Sequence, residues 1–447
     1  MKKSVTQRST QYNRSRTLRG KLDRTDLIPY SDIRDPSEMK PEMTISVPVI
    51  RAIRELCLKE SGSGTDRAFL DRFAPSISAL SAVFNQRPGA VSLSSIRGSK
   101  EFPIAYTAYF LPSNLLKFPM LLLDLFQSRP DHPLFSDRSG RSAGSTIRIL
   151  DLGAGPATSG VGFLDLCARY PIPLFGGASI DYLAIDQNPR LLQYGSRLLD
   201  SCVDAFHKEL SARRIRFAYR TQVKRISPKS ETTGEKFELV ILSNLLNEML
   251  SDGEKMGAIA GYLEKIAFLL EEGGVLVIIE PALRKSSRNL LTLRDLLLQN
   301  GIYSVLAPCL HQLPCPIIGP QGSERDWCHQ ERFWQTPSWI ESIDRRIGNR
   351  KDSLKYSYLT LSRRHGNGVA LPNRWRAVSE LIESKGKREI FLCNETGRKR
   401  FYLLRREESH RNSPFTELKR GDLVDINVPD GVSGTRVGAN WSLKRTG

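Results

Sequence analysis

The stretch Ile147-Arg-Ile-Leu-Asp151-Leu-Gly153-Ala-Gly155-Pro-Ala157 decides the fold of this 447-residue chain. Its apolar first half predicts a short buried strand, and its two glycines permit the tight turn and close backbone approach that a bound nucleotide needs. A second apolar strand, Tyr182 to Ile185, ends at Asp186, whose carboxylate can accept hydrogen bonds from ribose hydroxyls. The sequence therefore predicts a nucleotide site formed by Asp151, Gly153, Gly155 and Asp186.

Further apolar segments repeat the strand pattern with helical stretches between them. They run from Ile215 to Tyr219, from Phe237 to Leu242 and from Val275 to Ile279. Short apolar strands that alternate with helices predict a parallel sheet covered on both faces, which is a Rossmann-like α/β fold. The segment from Tyr356 to Leu361 alternates in polarity, and we expect it to add an edge strand to this sheet.

The Asp-x-Gly-x-Gly pattern after the first strand resembles motif I of class I methyltransferases. That resemblance implies an S-adenosylmethionine site. It also makes Asn244 a candidate contact, because those enzymes place cofactor or substrate contacts at the end of the fourth strand. Ala157 stands where many methyltransferases have a third glycine. A fold that binds the cofactor without turnover is therefore the alternative to catalysis, and no catalytic residue is assigned.

Four regions are expected along the chain. Residues 1–42 form a disordered basic tail, because residues 1–22 carry seven Lys or Arg and no Asp or Glu. Residues 43–128 form a helical N-terminal domain, and 145–373 form the methyltransferase-like core with an inserted Cys-rich loop at 305–335. Residues 374–447 form a small, basic, β-rich C-terminal appendage, since short apolar strands there alternate with turns containing Asn, Gly and Asp.

The charge balance points to a polyanionic partner. The chain has 66 Lys and Arg against 48 Asp and Glu, a formal net charge of +18. Basic surfaces bind nucleic acid because each neutralised phosphate releases counterions. Seven cysteines in 447 residues are too few for a secreted disulfide scaffold, and no apolar run approaches the roughly 18 residues that cross a membrane. RNA or the ribosome is therefore the predicted partner, with no membrane association.

Four of the seven cysteines lie in the C-terminal third of the chain. Cys309, Cys315 and Cys328 stand in a loop rich in Pro and Gly, and Cys393 follows 64 intervening residues later. Four thiolates suit a [4Fe–4S] cluster or tetrahedral zinc. His311 and His329 could replace a cysteine in a zinc site. The other three cysteines occupy apolar or helical contexts and are interpreted as packing residues.

Several segments together resemble one family, the mitochondrial small-ribosomal-subunit assembly family known in animals as methyltransferase-like protein 17, with its bacterial relatives. The most specific are Pro308 to Pro316 and the element Asp326-Trp-Cys-His329. The others are Ala105 to Pro112, Asp151 to Pro156, Ser243 to Met249, Tyr356 to Arg363, and Leu392 with Cys393. The resemblance implies that Cys309, Cys315, Cys328 and Cys393 ligate a [4Fe–4S] cluster, and that Gly153, Gly155 and Asp186 line the S-adenosylmethionine site.

The resemblance also implies assembly or maturation of the small ribosomal subunit through contact with its rRNA. Two alternatives stay open: an active S-adenosylmethionine-dependent rRNA methyltransferase, and a zinc-stabilised RNA-binding module without turnover. The chain is expected to be a monomer. The expected compartment is the bacterial cytoplasm, with the mitochondrial matrix as the alternative.

Overall fold

The structure is a computed structural model that describes residues 42–85, 93–135, 146–170, 177–230, 234–320, 322–363, 373–429 and 434–445. Apart from Glu42, the basic tail predicted over residues 1–42 lies outside these ranges. Each helix in the described ranges is too short or too polar to cross a membrane.

A central sheet organises the larger part of the molecule. Its strands are β1 (Thr146–Leu152), β2 (Ser179–Asp186), β3 (Arg216–Val223), β4 (Phe237–Ser243), β5 (Leu270–Pro281), β6 (Tyr303–Ala307), β7 (Gln330–Phe333) and β8 (Ser353–Arg363). Their order is β3-β2-β1-β4-β5-β8-β6, and β7 also pairs with β8. Strands β1 to β5 are parallel, whereas β8 runs antiparallel to both β5 and β6.

This strand order confirms the predicted fold class. The chain leaves β1 toward β2 and β3 on one side and returns to β4 and β5 on the other, so the order reverses between β1 and β4. Ligands of open α/β sheets bind at such a switch point, beyond the carboxyl ends of the strands. An antiparallel strand inserted between the fifth and last strands is the class I methyltransferase arrangement. The expectation of an edge strand at 356–361 was wrong, because β8 lies inside the sheet between β5 and β6.

Two hydrophobic cores cover the two faces of the sheet. Ile149 of β1 belongs to one core and its neighbour Leu150 to the other, because successive side chains of a strand point to opposite faces. The N-terminal helices pack into the first core together with the strands, so they share a core with the sheet. The second core is completed by helices that follow β4 and β5.

The helices have the following bounds. Before the sheet stand α1 (Val47–Ser61), α2 (Asp66–Phe84), α3 (Leu93–Arg97), α4 (Phe102–Ala105), a π-helical turn (Tyr106–Phe110), α5 (Leu111–Leu115) and α6 (Lys117–Ser128). Within the sheet region are α7 (Thr158–Arg169), α8 (Pro189–Ala205), α9 (His207–Ala212), α10 (Leu245–Ser251), α11 (Met256–Ala267), α12 (Arg284–Gln299) and α13 (Ser338–Ile347).

The C-terminal region builds a second sheet around its own core. Its strands are β9 (Arg374–Ala377), β10 (Ile382–Ser384), β11 (Lys387–Asn394), β12 (Gly397–Leu404), β13 (Leu423–Asn427), β14 (Arg436–Val437) and β15 (Ser442–Arg445), with 3-10 turns at Arg405–Glu407 and Ser413–Glu417. The strand order is β14-β12-β11-β9-β13-β15, and β10 pairs with β11. Buried side chains such as Trp375, Phe401 and Leu403 fill the space inside this sheet.

Polar contacts join the second sheet to the first. The Arg398 guanidinium on β12 donates to Asp326 at 2.8 Å, and Arg376 on β9 donates to Gln330 at 2.9 Å and to the Tyr358 hydroxyl at 3.1 Å. Arg398 and Arg376 therefore place the ends of β12 and β9 against the loop and strands that follow β6.

Candidate functional site

The glycine loop after β1 is shaped by backbone bonds to the end of β2. Gly153 has φ 72° and Gly155 has φ 55°, backbone conformations that residues with a Cβ rarely adopt. The Gly153 and Ala154 amides donate to the Ile185 carbonyl at 2.8 and 3.0 Å. The Gly155 amide instead donates to the carboxylate of Asp186, 2.8 Å away. The loop thus holds the candidate acid directly.

The Asp186 carboxylate is held from both sides. Its Oδ2 accepts from Gly155 and its Oδ1 accepts from the Asn188 amide, each at 2.8 Å. Burial raises the pKa of Asp186 above its ordinary value, while these backbone donors and Arg97 oppose that rise. A carboxylate oxygen has two lone pairs, so each oxygen retains acceptor capacity for a ligand hydroxyl.

A pocket opens beside this carboxylate at the switch point of the sheet. It is lined by Gly153, Asp186, Gln187, Arg225, Ile226, Leu245, Glu248, Met249 and Asp252. The lining combines the predicted loop and strand-terminal acid with the first turns of α10. A nucleoside with ribose hydroxyls at Asp186 fits the chemistry of this lining.

Three predicted site residues, Asp151, Gly155 and Asn244, are not among the described residues that line the pocket. Asp151 has no exposed surface, and its Oδ2 accepts a hydrogen bond from the Tyr182 hydroxyl at 2.6 Å. Burial raises the pKa of Asp151 to about 7, with Tyr182 and Ser159 opposing the rise. Asn244 stands in the left-handed region with φ 61°, and its amide N–H donates to the Ile279 carbonyl at 2.7 Å. The roles of all three as cofactor contacts stay predictions.

The structure adds two residues that the sequence pattern did not indicate. Arg97 of α3 forms an ion pair with Glu248, which lines the pocket. The ring of Tyr106 lies 3.9 Å from the position that a Cβ on Gly155 would occupy, so the π-helical turn covers the glycine loop. Burial, followed by the charges of Glu248 and Asp186, raises the pKa of Tyr106. Arg97 and Tyr106 precede the core in sequence, and only the packing of the N-terminal helices brings Arg97 to the pocket residue Glu248 and Tyr106 to the glycine loop.

A buried acid and a buried base lie behind the first turn of α10. Glu280 at the end of β5 has no exposed surface and accepts from the amides of Leu246 at 2.9 Å and Asn247 at 3.2 Å. Burial raises the pKa of Glu280 to about 8, and Lys117 of α6 opposes the rise. Burial lowers the pKa of Lys117 to about 7. The side-chain oxygens of Glu280 therefore fix the start of α10, and with it the pocket residues Leu245 and Glu248.

The four candidate cysteines come from both sheets. Cys309 follows β6, Cys315 lies in the next loop, Cys328 precedes β7 and Cys393 lies on β11. Burial and the neighbouring thiols of Cys309, Cys328 and Cys315 raise the pKa of Cys393. Burial and then Cys309 raise the pKa of Cys315 to about 12. The charges of the four thiols are therefore coupled.

Cationic side chains surround these thiols. Arg294 is almost wholly buried and donates to the carbonyls of His311 at 2.8 Å and Leu313 at 2.9 Å. Burial lowers the pKa of the Arg294 guanidinium, but the negative charges of Cys309 and Asp295 raise it, and the net effect is a raised pKa. Within the described ranges, no three His, Cys, Asp or Glu side chains are positioned to hold a metal ion. The metal ligands therefore stay a prediction: burial raises the pKa values of Cys315 and Cys393, and Arg294 only partly opposes that rise.

Two imidazoles lie in the same loop. His311 Nδ1 lies 3.1 Å from the Leu313 carbonyl, while its buried Nε2 has no hydrogen-bond partner among the described residues. His329 stacks on Trp327 with ring centroids 5.7 Å apart, and its buried Nδ1 likewise has no partner in the described chain. Burial lowers the pKa of His329 to about 4, which keeps it neutral. Neutral imidazole nitrogens are zinc ligands, so zinc stays an alternative to the [4Fe–4S] cluster at this site.

The strand order, with its antiparallel strand between the fifth and last strands, defines a class I methyltransferase fold. The family model described as mitochondrial small ribosomal subunit Rsm22 matches residues 147–422, which is more than half of the chain. The chain therefore belongs to that family, and the resemblance found in the sequence is confirmed. No curated protein matches the sequence.

Solved structures similar to the chain include several methyltransferases. A precorrin-6y C5,15-methyltransferase from Geobacter metallireducens is 13% identical with a TM-score of 0.26, covering 50% of this chain and 82% of its own. A TehB-like SAM-dependent methyltransferase from Corynebacterium glutamicum is 9% identical, with a TM-score of 0.26 and coverages of 56% and 99%. A loganic acid methyltransferase is 10% identical, with a TM-score of 0.32 and coverages of 60% and 97%. Similarity this low carries no argument about ligand or activity.

Proposed function

We propose that this protein is an assembly or maturation factor of the small ribosomal subunit that binds its rRNA. The observation that carries this proposal is membership of the Rsm22 family over residues 147–422, whose description names the mitochondrial small ribosomal subunit. A formal net charge of +18 supports contact with a polyanion. The family description also favours the mitochondrial matrix over the bacterial cytoplasm as the compartment.

The proposal includes S-adenosylmethionine as the ligand of the pocket at the switch point. Asp186 would bind the ribose hydroxyls, and Gly153 would let the cofactor approach the backbone. The ligand, when bound, supplies an activated methyl group. Arg97, through its ion pair with Glu248, and Tyr106, over Gly155, would restrict access of water and of a methyl acceptor to the pocket.

The proposal also assigns a [4Fe–4S] cluster to Cys309, Cys315, Cys328 and Cys393. What supports the assignment is the electrostatic coupling of the four thiols and the arginine charges that act on them. Arg376, Arg420 and Arg398 each lower the pKa of Cys328, against a rise caused by burial and Cys309. A four-thiolate site carries net negative charge, which these arginines would offset. Zinc held by cysteines with His311 or His329 is the alternative occupant.

The test of the proposed function is crosslinking of the full-length protein to RNA in cells, followed by mapping of the bound sites. Enrichment of small-subunit rRNA over large-subunit rRNA is the expected result. Crosslinks spread evenly over unrelated RNAs would overturn the proposal. A methylated nucleotide that disappears from the mapped site when the protein is removed would instead establish the rRNA methyltransferase alternative.

A further inference from the structure

The strand pairing of the C-terminal sheet has a specific form. Strand β9 pairs antiparallel with both β11 and β13, and β11 pairs antiparallel with β12. Strand β12 pairs parallel with β14, and β13 pairs antiparallel with β15. Since β14 and β15 are successive segments of one stretch of chain, these pairings close the sheet into a barrel. If β14 and β15 are taken as one interrupted strand, the barrel has five strands in the order 1-2-3-5-4.

That order, with the third and fifth strands parallel, is the arrangement of the OB-fold barrel. The 3-10 turns between β12 and β13 lie where that barrel carries its connecting helix. Barrels of this kind bind oligonucleotides on the face of their second and third strands. Those strands are β11 and β12 here. Fold alone does not establish binding, so the side chains on that face must carry the inference.

The outward face of β11 and β12 combines aromatic and basic side chains. Ile390, Leu392, Phe401 and Leu403 point into the barrel core, so their neighbours point outward. Across the two strands, outward Phe391 pairs with Arg400 and outward Glu389 pairs with Tyr402. Next to them on β14, Arg436 pairs with Tyr402. The outward positions of these three strands are Lys387, Glu389, Phe391, Cys393, Arg398, Arg400, Tyr402, Leu404 and Arg436, which include four basic side chains and one acidic one.

Part of this face is open to a ligand. Arg398 covers the Phe391 ring at 3.9 Å and bonds Asp326, so the end near Cys393 lies against the core. At the other end, the side chains of Arg400 and Arg436 are 54% and 49% exposed. Arg400 is paired with Glu389 at 2.7 Å and Arg436 with Glu407 at 2.5 Å, so both guanidinium groups are already oriented on the surface.

Tyr402 neighbours both arginines, since Arg400 is two residues away on β12 and Arg436 is its partner on β14. Its ring is half-buried, and the Lys387 ammonium lies 5.9 Å from the ring centroid. Just beyond β12, Arg405 and Arg406 are both exposed. An aromatic ring on which a base can stack, flanked by cations that follow a backbone of phosphates, is the chemistry of single-stranded nucleic acid binding.

We infer that the outward face of β11, β12 and β14, centred on Tyr402, Arg400 and Arg436, binds single-stranded RNA. The choice of RNA over DNA rests on the proposed function. The stacked base lies on Tyr402, and the guanidinium groups of Arg400 and Arg436 contact the flanking phosphates. A duplex, whose bases are already stacked in pairs, offers no free base to this ring and binds through its phosphates alone.

The test uses the full-length protein and a fluorescein-labelled oligouridylate of about 12 nucleotides, measured by fluorescence anisotropy against a duplex RNA of equal length. Tyr402→Ala should weaken oligouridylate binding roughly tenfold, whereas Tyr402→Phe should bind like the wild type. The double variant Arg400→Gln/Arg436→Gln should weaken binding and lower the salt slope by about 1.4. Its control, Lys444→Gln/Arg445→Gln, removes two charges from β15, which pairs with β13 and not with β12, and should leave affinity within about twofold.

Thermal unfolding of each variant, followed by circular dichroism, separates lost contacts from lost folding. Equal oligouridylate affinity in the wild type, Tyr402→Ala and the Arg400/Arg436 variant would overturn the assignment of this face. So would wild-type protein that prefers the duplex. Co-sedimentation of the wild type with small ribosomal subunits is measured in parallel. If the wild type does not co-sediment, the proposed function is refuted. If it co-sediments but the variants of the barrel face bind oligouridylate like the wild type, only RNA binding by that face is refuted.

Discussion

The Gly155 amide and the Asp186 carboxylate, 31 residues apart in sequence, are joined by a hydrogen bond of 2.8 Å. This bond links the glycine loop after β1 to the end of β2. It fixes the orientation of the carboxylate before any ligand arrives, with help from the Asn188 amide on the other oxygen. A preoriented acceptor loses little conformational freedom on binding, so each hydrogen bond to a ribose contributes more of its intrinsic strength.

Asp186→Ala should weaken S-adenosylmethionine binding by about 2 kcal/mol or more, because a charged acceptor of two hydroxyl groups is lost. That corresponds to a roughly 30-fold higher Kd. Isothermal titration calorimetry measures the change. Asp186→Asn keeps an acceptor for Gly155 but loses the charge, so its affinity should lie between those of the wild type and Asp186→Ala. Asp204→Ala, an exposed acid on α8, is the control and should bind like the wild type. Unchanged affinity in Asp186→Ala would show that this carboxylate does not reach the ribose.

A second prediction concerns Glu280, whose burial raises its pKa to about 8 from an ordinary 4.5. Between about pH 5 and 8 the native protein keeps a proton that the unfolded chain has lost, so this group's contribution to stability falls as pH rises. Glu280→Gln cannot ionise and still accepts from the α10 amides. The free energy of unfolding of the variant relative to the wild type should therefore increase with pH, by at most ~1.4 kcal/mol per unit. Attraction to Lys117 favours the charged form of Glu280, so the measured change per pH unit should not exceed this value.

Urea unfolding at several pH values in that window provides the measurement for Glu280→Gln. Glu341→Gln, an exposed acid at the start of α13, serves as the matched control for loss of one negative charge. Parallel stability profiles for the wild type and Glu280→Gln would contradict the proposed protonation of the buried acid.

The strands and the glycine loop were predictable because their signals are local. Ile147 to Leu152 has apolar side chains at four of its six positions, and the structure places these side chains in two different cores. The position of β8 was not predictable from its pattern. An alternating segment fits an edge strand, but here Tyr358 and Leu359 pack in separate cores inside the sheet. Strand order depends on contacts between distant segments, which the polarity of one segment does not encode.

The pocket also combines residues that were predictable from local sequence with residues that were not. Gly153 belongs to the Asp-x-Gly-x-Gly motif and Asp186 ends an apolar strand, so both are recognisable from the residues next to them in sequence. Arg97 and Tyr106 come close to the pocket residue Glu248 and the glycine loop only because α3 and the π-helical turn pack there. Tyr106 belongs to a segment that resembles the family, but that resemblance did not assign it to the cofactor site. A barrel closed by β14 and β15 is also a property of long-range pairing, since each of these strands has four residues or fewer.

A third prediction concerns residues 1–22, which carry seven Lys or Arg and no acid. Affinity of the protein for small-subunit rRNA should fall steeply between about 50 and 200 mM salt. Deleting residues 1–22 should make the slope of log affinity against log salt shallower, because fewer phosphates are neutralised. Filter binding across a salt series measures both slopes. Identical slopes in the full-length and shortened chains would mean that this segment touches no phosphate.

The last prediction concerns Cys393, which lies on the barrel while its three partners lie in the loops after β6. A shared cluster would join the two sheets, and metal–thiolate bonding can offset the entropy of closing so large a loop. Cys393→Ser should therefore lose iron and make residues 374–447 more sensitive to proteolysis, while the central sheet stays folded. Cys167→Ser and Cys202→Ser, which replace thiols buried in the first core, are the controls and should keep their iron.

Iron and sulfide per chain after anaerobic purification, with limited proteolysis of the barrel, provide the measurement for these three variants. Full iron occupancy in Cys393→Ser would remove this residue from the ligand set, and the barrel would then be held only by contacts such as Arg398 with Asp326 and Arg376 with Gln330. One zinc and no sulfide in the wild type would refute the [4Fe–4S] assignment and leave four-ligand zinc as the occupant. In that case His311→Ala and His329→Ala would decide whether an imidazole replaces one of the four thiolates, since loss of a true ligand lowers zinc occupancy whereas loss of a neighbouring side chain does not.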